Sequence, residues 1–291
     1  MRIAQWEPDA YRVLDCGDGE KLENWNGVLL VRPDPQIIWS SPRSDPRWSQ
    51  AQGHYFRSKT GGGHWEFPGK VPAKWTVSRA GLTFQLQAMG FKHTGIFPEQ
   101  AVNWDWLQDR IRNAGKPLKI LNLFGYTGAA TLACLQAGAS VTHVDASKGM
   151  VAWAKENARL SGLEDRPVRW LVDDCLKFVQ REARRGSTYD GILMDPPAYG
   201  RGPGGEVWRL EEQLHGLIES CLPILSEEPA FFMINSYATG LSPAVMEYFL
   251  GLLLRPRYGG ETASDEIGLP VGDTNLVLPC GSTAVWAGIR N

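Results

Sequence analysis

The stretch LKILNLFGYTGAATLACLQAGASVTHVDAS, Leu118 to Ser147, constrains the fold more than any other part of the chain. Lys119 to Phe124 is an apolar run of strand length, Gly125 to Gly128 punctuates a turn, and Ala129 to Gln136 is rich in helix formers. Ser140 to Val144 is a second apolar run, and Asp145 follows it. Two such strands joined through a helix pair in parallel, because a parallel pair requires a crossover connection.

The alternation continues. A helix is expected over Gly149 to Ser161, a strand over Val168 to Val172, a helix over Leu176 to Arg185 and a strand over Gly191 to Met194. Then come a helix at Leu210 to Leu222, a strand at Ala230 to Asn235, a helix at Pro243 to Leu254, and a closing hairpin of Asn275 to Pro279 with Thr283 to Gly288. Upstream, WLQDRIRNAG reads as an amphipathic helix ending at Gly115, with Pro117 blocking its continuation. The expected fold class is α/β, with a mostly parallel sheet that gains antiparallel character at one edge.

The first ninety residues read differently, being rich in Pro, Gly and Trp. Short runs at Gly27 to Val31, Gln36 to Trp39, Trp75 to Ser78 and Thr83 to Leu86 suggest strands of a small β-rich domain, residues 1–92, before an α/β domain of residues 93–291. Ser40 to Gly69, with its Gly61-Gly62-Gly63, reads as a mobile surface loop.

With 43% hydrophobic and 21% charged residues the chain has the composition of a globular protein. It lacks an eighteen-residue apolar run and an apolar signal-like N-terminus, so a cytoplasmic location is expected. Five scattered cysteines without a Cys-x-x-Cys pair point to reduced thiols. His54, His64, His93, His143 and His215 have no ligand spacing, read as surface or packing residues, and no metal is expected. The net charge of −2 gives no global pull toward a polyanion. Locally, Ser40 to Lys92 holds eight basic residues against two acidic ones, interleaved with Trp48, Tyr55, Phe56, Trp65, Phe67 and Trp75. That pattern suits an RNA-gripping surface or, equally, a Trp-stabilised core with a basic rim.

Ligands of open α/β sheets sit beyond the carboxyl ends of the strands. There, Gly125 and Gly128 allow close backbone approach, and Asp145, 20 positions after Gly125, is placed to accept ribose hydroxyls. Asp145 read alone is as easily a helix cap. Asp173-Asp174-Cys175 after the third strand offers an acceptor to an adenine amine. The turn lacks the third glycine of dinucleotide sites and the Lys of phosphate loops, so S-adenosylmethionine fits better than a pyrophosphate. After the fourth strand, Asp195, Pro196, Pro197, Ala198 and Tyr199 form a rigid corner. A target amine can donate to the Asp195 carboxylate and a backbone carbonyl there while its ring stacks on Tyr199. Arg201 to Gly205 reads as a loop, closing over substrate or merely exposed.

These residues resemble the class I S-adenosylmethionine-dependent methyltransferases, and within them the bacterial group of 23S ribosomal RNA cytosine-C5 and guanine-N7 large-subunit methyltransferases. The resemblance rests on HTGIFPEQ, NLFGYTGAAT, VDAS, AKENARLSGL, DDCLKF, MDPPAYGRG and LPCGSTAVW. It implies a Rossmann-like, seven-stranded sheet with the last strand antiparallel, S-adenosylmethionine as methyl donor and S-adenosylhomocysteine as product. By that resemblance Phe97, Pro98, Glu99 and Gln100 approach the cofactor, and Phe124, Gly125, Tyr126, Thr127 and Gly128 hold its methionine part, with Asn122 among the binding residues. Asp145 takes the ribose, Ala146 and Ser147 border the adenine, Asp174 and Cys175 recognise its edge, and Asn157 braces the neighbouring helix. Asp195, Pro196, Pro197 and Tyr199 form the catalytic corner.

The chain departs from that pattern at Ala101, where relatives usually carry a basic residue, and in lacking an evident PUA module. It also has no cysteine after the fifth strand, where Ile234-Asn235-Ser236-Tyr237-Ala238 stands. Cytosine C5 needs covalent activation, so the missing thiol points toward nitrogen methylation of a nucleobase, with ribosomal RNA as the expected partner. Methylation of a protein side chain or small molecule, and a non-catalytic RNA-binding protein with the same fold, remain as rival readings.

Overall fold

The computed structural model describes residues 1–58, 62–201 and 207–289. The chain divides into two compact units: residues 2–102 with 267–280, and residues 103–266 with 281–291.

The first unit contains β1 (Arg2–Ile3), β2 (Tyr11–Gly17), β3 (Glu20–Trp25), β4 (Val28–Pro33), β5 (Gly53–Arg57), β6 (Gly63–Glu66), β7 (Trp75–Arg79) and β8 (Leu82–Leu86). Strands β2 to β6 form a five-stranded sheet in sequence order, and β7 pairs with β8. The core beside β2 to β4 is anchored by Leu14, Leu22 and Val31. Within the expected Ser40 to Gly69 loop the described residues form a single-turn helix, Pro46–Gln50, and the β5–β6 hairpin. Gln36 to Trp39 is not a strand: it is turn and coil, with Ile38 91% exposed.

Composition places a boundary at residue 92, but residues 93–102 fold with the first unit because polar bonds tie them there. Glu23, fully buried, receives both Arg32 Nε (2.6 Å) and Arg32 Nη2 (2.7 Å) as well as the Tyr11 hydroxyl (2.8 Å). Burial alone would raise its pKa, but the Arg32 and Lys21 charges more than offset this and hold it down at about 2. The same guanidinium donates to Lys92 O, Gln87 N donates to Thr94 O, and Trp6 Nε1 donates to Pro98 O. Residues 267–280 join the unit through Arg2↔Ile267 pairing and the Val13–Val271 bridge.

The second unit starts in α1 (Ala101–Arg112) and continues as β9 (Lys119–Leu123), α2 (Ala129–Gln136), β10 (Ser140–Asp145), α3 (Lys148–Leu160), β11 (Val168–Val172), α4 (Cys175–Arg185) and β12 (Gly191–Met194). After β13 (Tyr199–Arg201) and β14 (Val207–Arg209), a two-stranded ribbon, come α5 (Leu210–Cys221), β15 (Phe231–Ser236), α6 (Pro243–Tyr258), β16 (Glu261–Pro270) and β17 (Val277–Ala287). The sheet order is β11-β10-β9-β12-β15-β17-β16, with two-residue β1 added beside β16. β9 to β12 and β15 pair in parallel, while β17 runs antiparallel to β15. This is the doubly wound sheet expected, with its antiparallel strand.

Phe178 and Val179 of α4, Leu214 and Ile218 of α5 and Met246 and Leu250 of α6 cover one face of the sheet. Burial on both sides explains the unbroken apolar runs of β12 and β15. The closing hairpin is longer than expected. Its first strand, β16, replaces the expected Asn275 to Pro279 strand, and β17 begins at Val277.

Candidate active site

Four neighbouring strands, β9 to β12, bring their carboxyl ends together. The turn after β9 is held from three sides. Gly125 N donates to Val144 O (3.0 Å), Gly128 N closes the turn on Gly125 O (3.0 Å), and Phe124 N donates to Cys175 Sγ (3.3 Å) at the start of α4. Phe124 (φ 56) and Tyr126 (φ 49) sit in the left-handed region, where a side chain costs on the order of 1–3 kcal/mol. The bonds to these residues therefore act against local strain.

Asp145 supplies one such bond. Its Oδ2 accepts from Tyr126 N (2.8 Å) and its Oδ1 from Ser147 N (2.8 Å). The cap of α3 is Ser147, whose Oγ accepts from Met150 N, so Asp145 is a turn anchor and not the cap. Each carboxylate oxygen retains a lone pair. Asn157, fully buried on α3, donates to Thr127 O (2.9 Å) and ties the turn to the helix behind it. Ala146 and Ser147 are exposed at the strand end. Asp174 is exposed and caps α4 by accepting from Lys177 N (2.8 Å). Asn122 is buried and faces away from the turn's outer surface: it donates to Thr131 Oγ1 (2.9 Å), which also bonds His143 Nδ1 (2.9 Å).

His143 was not among the site candidates, yet its imidazole fills the space beneath Gly125. A Cβ on Gly125 would lie 2.3 Å from His143 Cε1. Burial lowers the His143 pKa to about 3. Because the folded value lies below the ordinary 6.5, the unfolded chain takes up the proton first. This group's contribution is whole above about pH 6.5 and is lost as pH falls toward about 3, at about 1.4 kcal/mol per pH unit. Urea unfolding of His143→Gln should therefore show a shallower loss of stability on acidification than the parent; identical slopes would show that this residue does not carry the effect.

At the end of β12, Asp195 N lies 3.4 Å from Leu123 O, which puts the corner beside the turn. Pro196 is buried, whereas Pro197 and Ala198 are exposed and Tyr199 is 53% exposed. Two of the corner's backbone carbonyls are already engaged within the fold. Trp208 Nε1 donates to Pro197 O (2.6 Å) and Leu210 N to Ala198 O (3.1 Å). Among the described residues no donor reaches Pro196 O. Trp208 also packs on Phe124 at 6.0 Å, linking the corner to the turn. Sequence reading missed it because β14 is separated from the corner by residues 202–206. Those residues, with the loop reading placed on them, lie outside the described part of the chain.

Phe97 to Gln100 belong to the first unit, where Pro98–Gln100 forms a single turn leading into α1 and Glu99 and Gln100 are buried. At the end of β15 stand the buried Asn235 and Ser236. Asn235 Oδ1 accepts from Asn103 Nδ2 (3.0 Å) and Thr283 Oγ1 (2.8 Å), a satisfied polar cluster in place of a thiol. The five cysteines are free and buried. Burial pushes Cys134 and Cys175 up to about 12, leaving them protonated and poor nucleophiles.

The donor set suits a nucleoside: a carboxylate held open by two backbone N–H groups, a glycine turn, and no Lys or Arg within Phe124 to Gly128 to hold phosphate. A family model for S-adenosylmethionine-dependent methyltransferases matches residues 40–219. The chain belongs to that family. An S-adenosylmethionine-dependent methyltransferase from Agrobacterium tumefaciens has a similar crystal structure, at 40% identity and TM-score 0.91, covering 99% of this chain and 93% of that one. A putative methyltransferase complexed with S-adenosylhomocysteine shares the fold at 20% identity and TM-score 0.73, over 97% of this chain and 76% of that one. Among curated proteins, ribosomal RNA large subunit methyltransferase K/L of Shewanella sp. strain ANA-3 is 35% identical over 121 residues, 41% of this chain. The matched segment spans 16% of that relative's length. The cofactor of this methyltransferase is S-adenosylmethionine. Among the described residues no helix is long and apolar enough to cross a membrane.

Proposed function

We propose that this methyltransferase methylates a nitrogen of a nucleobase in RNA, with ribosomal RNA as substrate, by direct transfer. The observation that carries the reading is the junction of the Gly125 turn with the Asp195 corner at the ends of β9 and β12, through Asp195 N, Leu123 O and Trp208. A methyl donor and its acceptor require such adjacency.

When bound, S-adenosylmethionine supplies a methyl group on a positively charged sulfur. In this reading the free lone pairs of Asp145 accept the ribose hydroxyls, Asp174 and the backbone at Cys175 border the adenine, and the Phe124 to Gly128 turn holds the amino acid end. Asp195 and Pro196 O are the two acceptors for the target amine; Trp208 already occupies Pro197 O. Two acceptors on one amine fix the direction of its lone pair. The Asp195 carboxylate is also placed to take the proton that the nitrogen loses on methylation. Tyr199, more than half exposed, offers a face to the base ring.

Nitrogen is favoured over carbon because the residues after β15 hold no thiol and the nearby Cys175 is kept protonated. Similarity to the large-subunit methyltransferases supports RNA as the substrate class. Labelled methyl transfer to total RNA, protein and metabolite fractions is the decisive measurement. Label is expected in RNA, and nucleoside digestion should return an N-methylated base; label confined to protein or metabolites would overturn the RNA assignment.

A further inference from the structure

The basic, aromatic stretch from Ser40 to Lys92 sorts into two classes. Tyr55 is buried, Trp48 donates to Asp15 (2.7 Å) and Trp75 to Trp25 O (3.1 Å), so these rings belong to the packing of the unit. Arg43 pairs with Glu20, Arg47 with Asp45, and Lys92 donates to Pro33 O. Arg79, in β7, donates to Gln5 O, and Lys74 lies just before that strand. The exposed rings and Arg57 lie on or beside the β5–β6 hairpin, whose outer strand β6 is a sheet edge.

On one face of the hairpin three rings form a ladder. His54 stacks on Phe56 at 3.9 Å and 30°, and Phe56 stacks on His64 at 5.8 Å and 27°. His64 ends the ladder with its side chain 67% exposed. Its bond to Glu66 (3.3 Å) runs through Nε2 in the ring plane and leaves the ring face open. On the other face, Trp65 and Phe67 stack at 5.8 Å and 8°, and Phe67 is 51% exposed. Arg57, at the end of β5, and Lys70, whose carbonyl binds Gln52 next to β5, are exposed and carry no ion pair among the described residues.

We infer that the β6 edge, with His64 on one face and Phe67 on the other, is a stacking surface for single-stranded RNA. Three features select that partner. Flat rings already aligned in stacks accept a further planar ring, as a base does. Among the described residues Arg57 and Lys70 carry no ion pair, and the exposed acid of the hairpin, Glu66, is engaged by His64. Stacking is indifferent to base identity, so the surface supplies grip while base choice rests with the Asp195 corner. The inference rests on the RNA reading of that corner, and its test separates the two.

Fluorescence anisotropy of the full chain with a labelled single-stranded RNA of about a dozen nucleotides, a length within the usual reach of such surfaces, provides the measurement. The double variant His64→Ala with Phe67→Ala should bind about tenfold or more weakly, with S-adenosylmethionine affinity by calorimetry unchanged. His64→Phe with Phe67→Tyr, which keeps both stacks, should bind like the parent, and Arg57→Gln should reduce the salt slope by about one. Equal RNA affinity for the parent and the alanine double variant, where the parent methylates RNA, overturns the surface and leaves the proposed activity standing. A parent dimer that becomes monomeric in the double variant with RNA affinity unchanged assigns the face to a second copy and overturns it also. Absence of label in RNA strikes the underlying activity instead.

Discussion

Asp195→Ala is expected to lower the methyl-transfer rate about a hundredfold or more while leaving S-adenosylmethionine affinity within about twofold. The asymmetry follows from position. Asp195 follows β12, beyond the turn that Asp145, Asn157 and Cys175 hold, and none of those bonds passes through its carboxylate. In the proposed geometry, removing it takes one of two acceptors from the target amine and leaves Pro196 O alone. Single-turnover kinetics with saturating cofactor isolates the step. Asp195→Asn keeps an acceptor oxygen but cannot take a proton at neutral pH, so a rate between those of the parent and the alanine variant is expected. Full turnover in Asp195→Ala would move the chemistry away from this corner. Weakened cofactor binding with an unchanged transfer rate would instead make Asp195 a cofactor contact.

The α/β unit was legible because its signals are local. Buried parallel strands need unbroken apolar runs, and β12 falls where the sequence places it, Gly191–Met194; the edge strand β11, although not buried, also falls at the expected Val168–Val172. Helix ends were read within a few residues; α6 passes the expected end at Leu254 and continues to Tyr258 through Pro256. The first unit was poorly legible for a physical reason. β3 buries Lys21 and Glu23 against Arg32 and Asp34, so charged residues occupy core positions and erase the alternation that marks a strand. β16 begins with ETASDE, whose polar residues hide a ten-residue strand. In the candidate site, Gly125, Asp145 and Asp195 were proposed from spacing, whereas Trp208 and the Asn122, Thr131, His143 chain are set by tertiary contact. No sequence spacing could announce that an imidazole lies under a glycine.

That imidazole makes Gly125→Ala the second large-effect substitution. The glycine's φ is not in the left-handed region, so the objection to alanine is steric: the new methyl would lie 2.3 Å from His143 Cε1 and 2.5 Å from Nδ1. The ring cannot slide away freely, because Thr131 Oγ1 holds Nδ1 and Trp170 packs on it edge-on at 4.9 Å. Either the turn lifts or the ring is expelled. Overpacking of this kind costs about 1–3 kcal/mol, and a lifted turn also separates Tyr126 N from Asp145, loosening the left-handed residues it restrains. Cofactor affinity should therefore fall about tenfold or more, with a lowered urea midpoint. The steric account makes a further demand. Adding His143→Ala to Gly125→Ala vacates the space and should recover part of the lost affinity, although His143→Ala alone destabilises the parent. If the second change only deepens the loss, the glycine is required for close approach to the ligand on the open side of the turn and not for the ring beneath it.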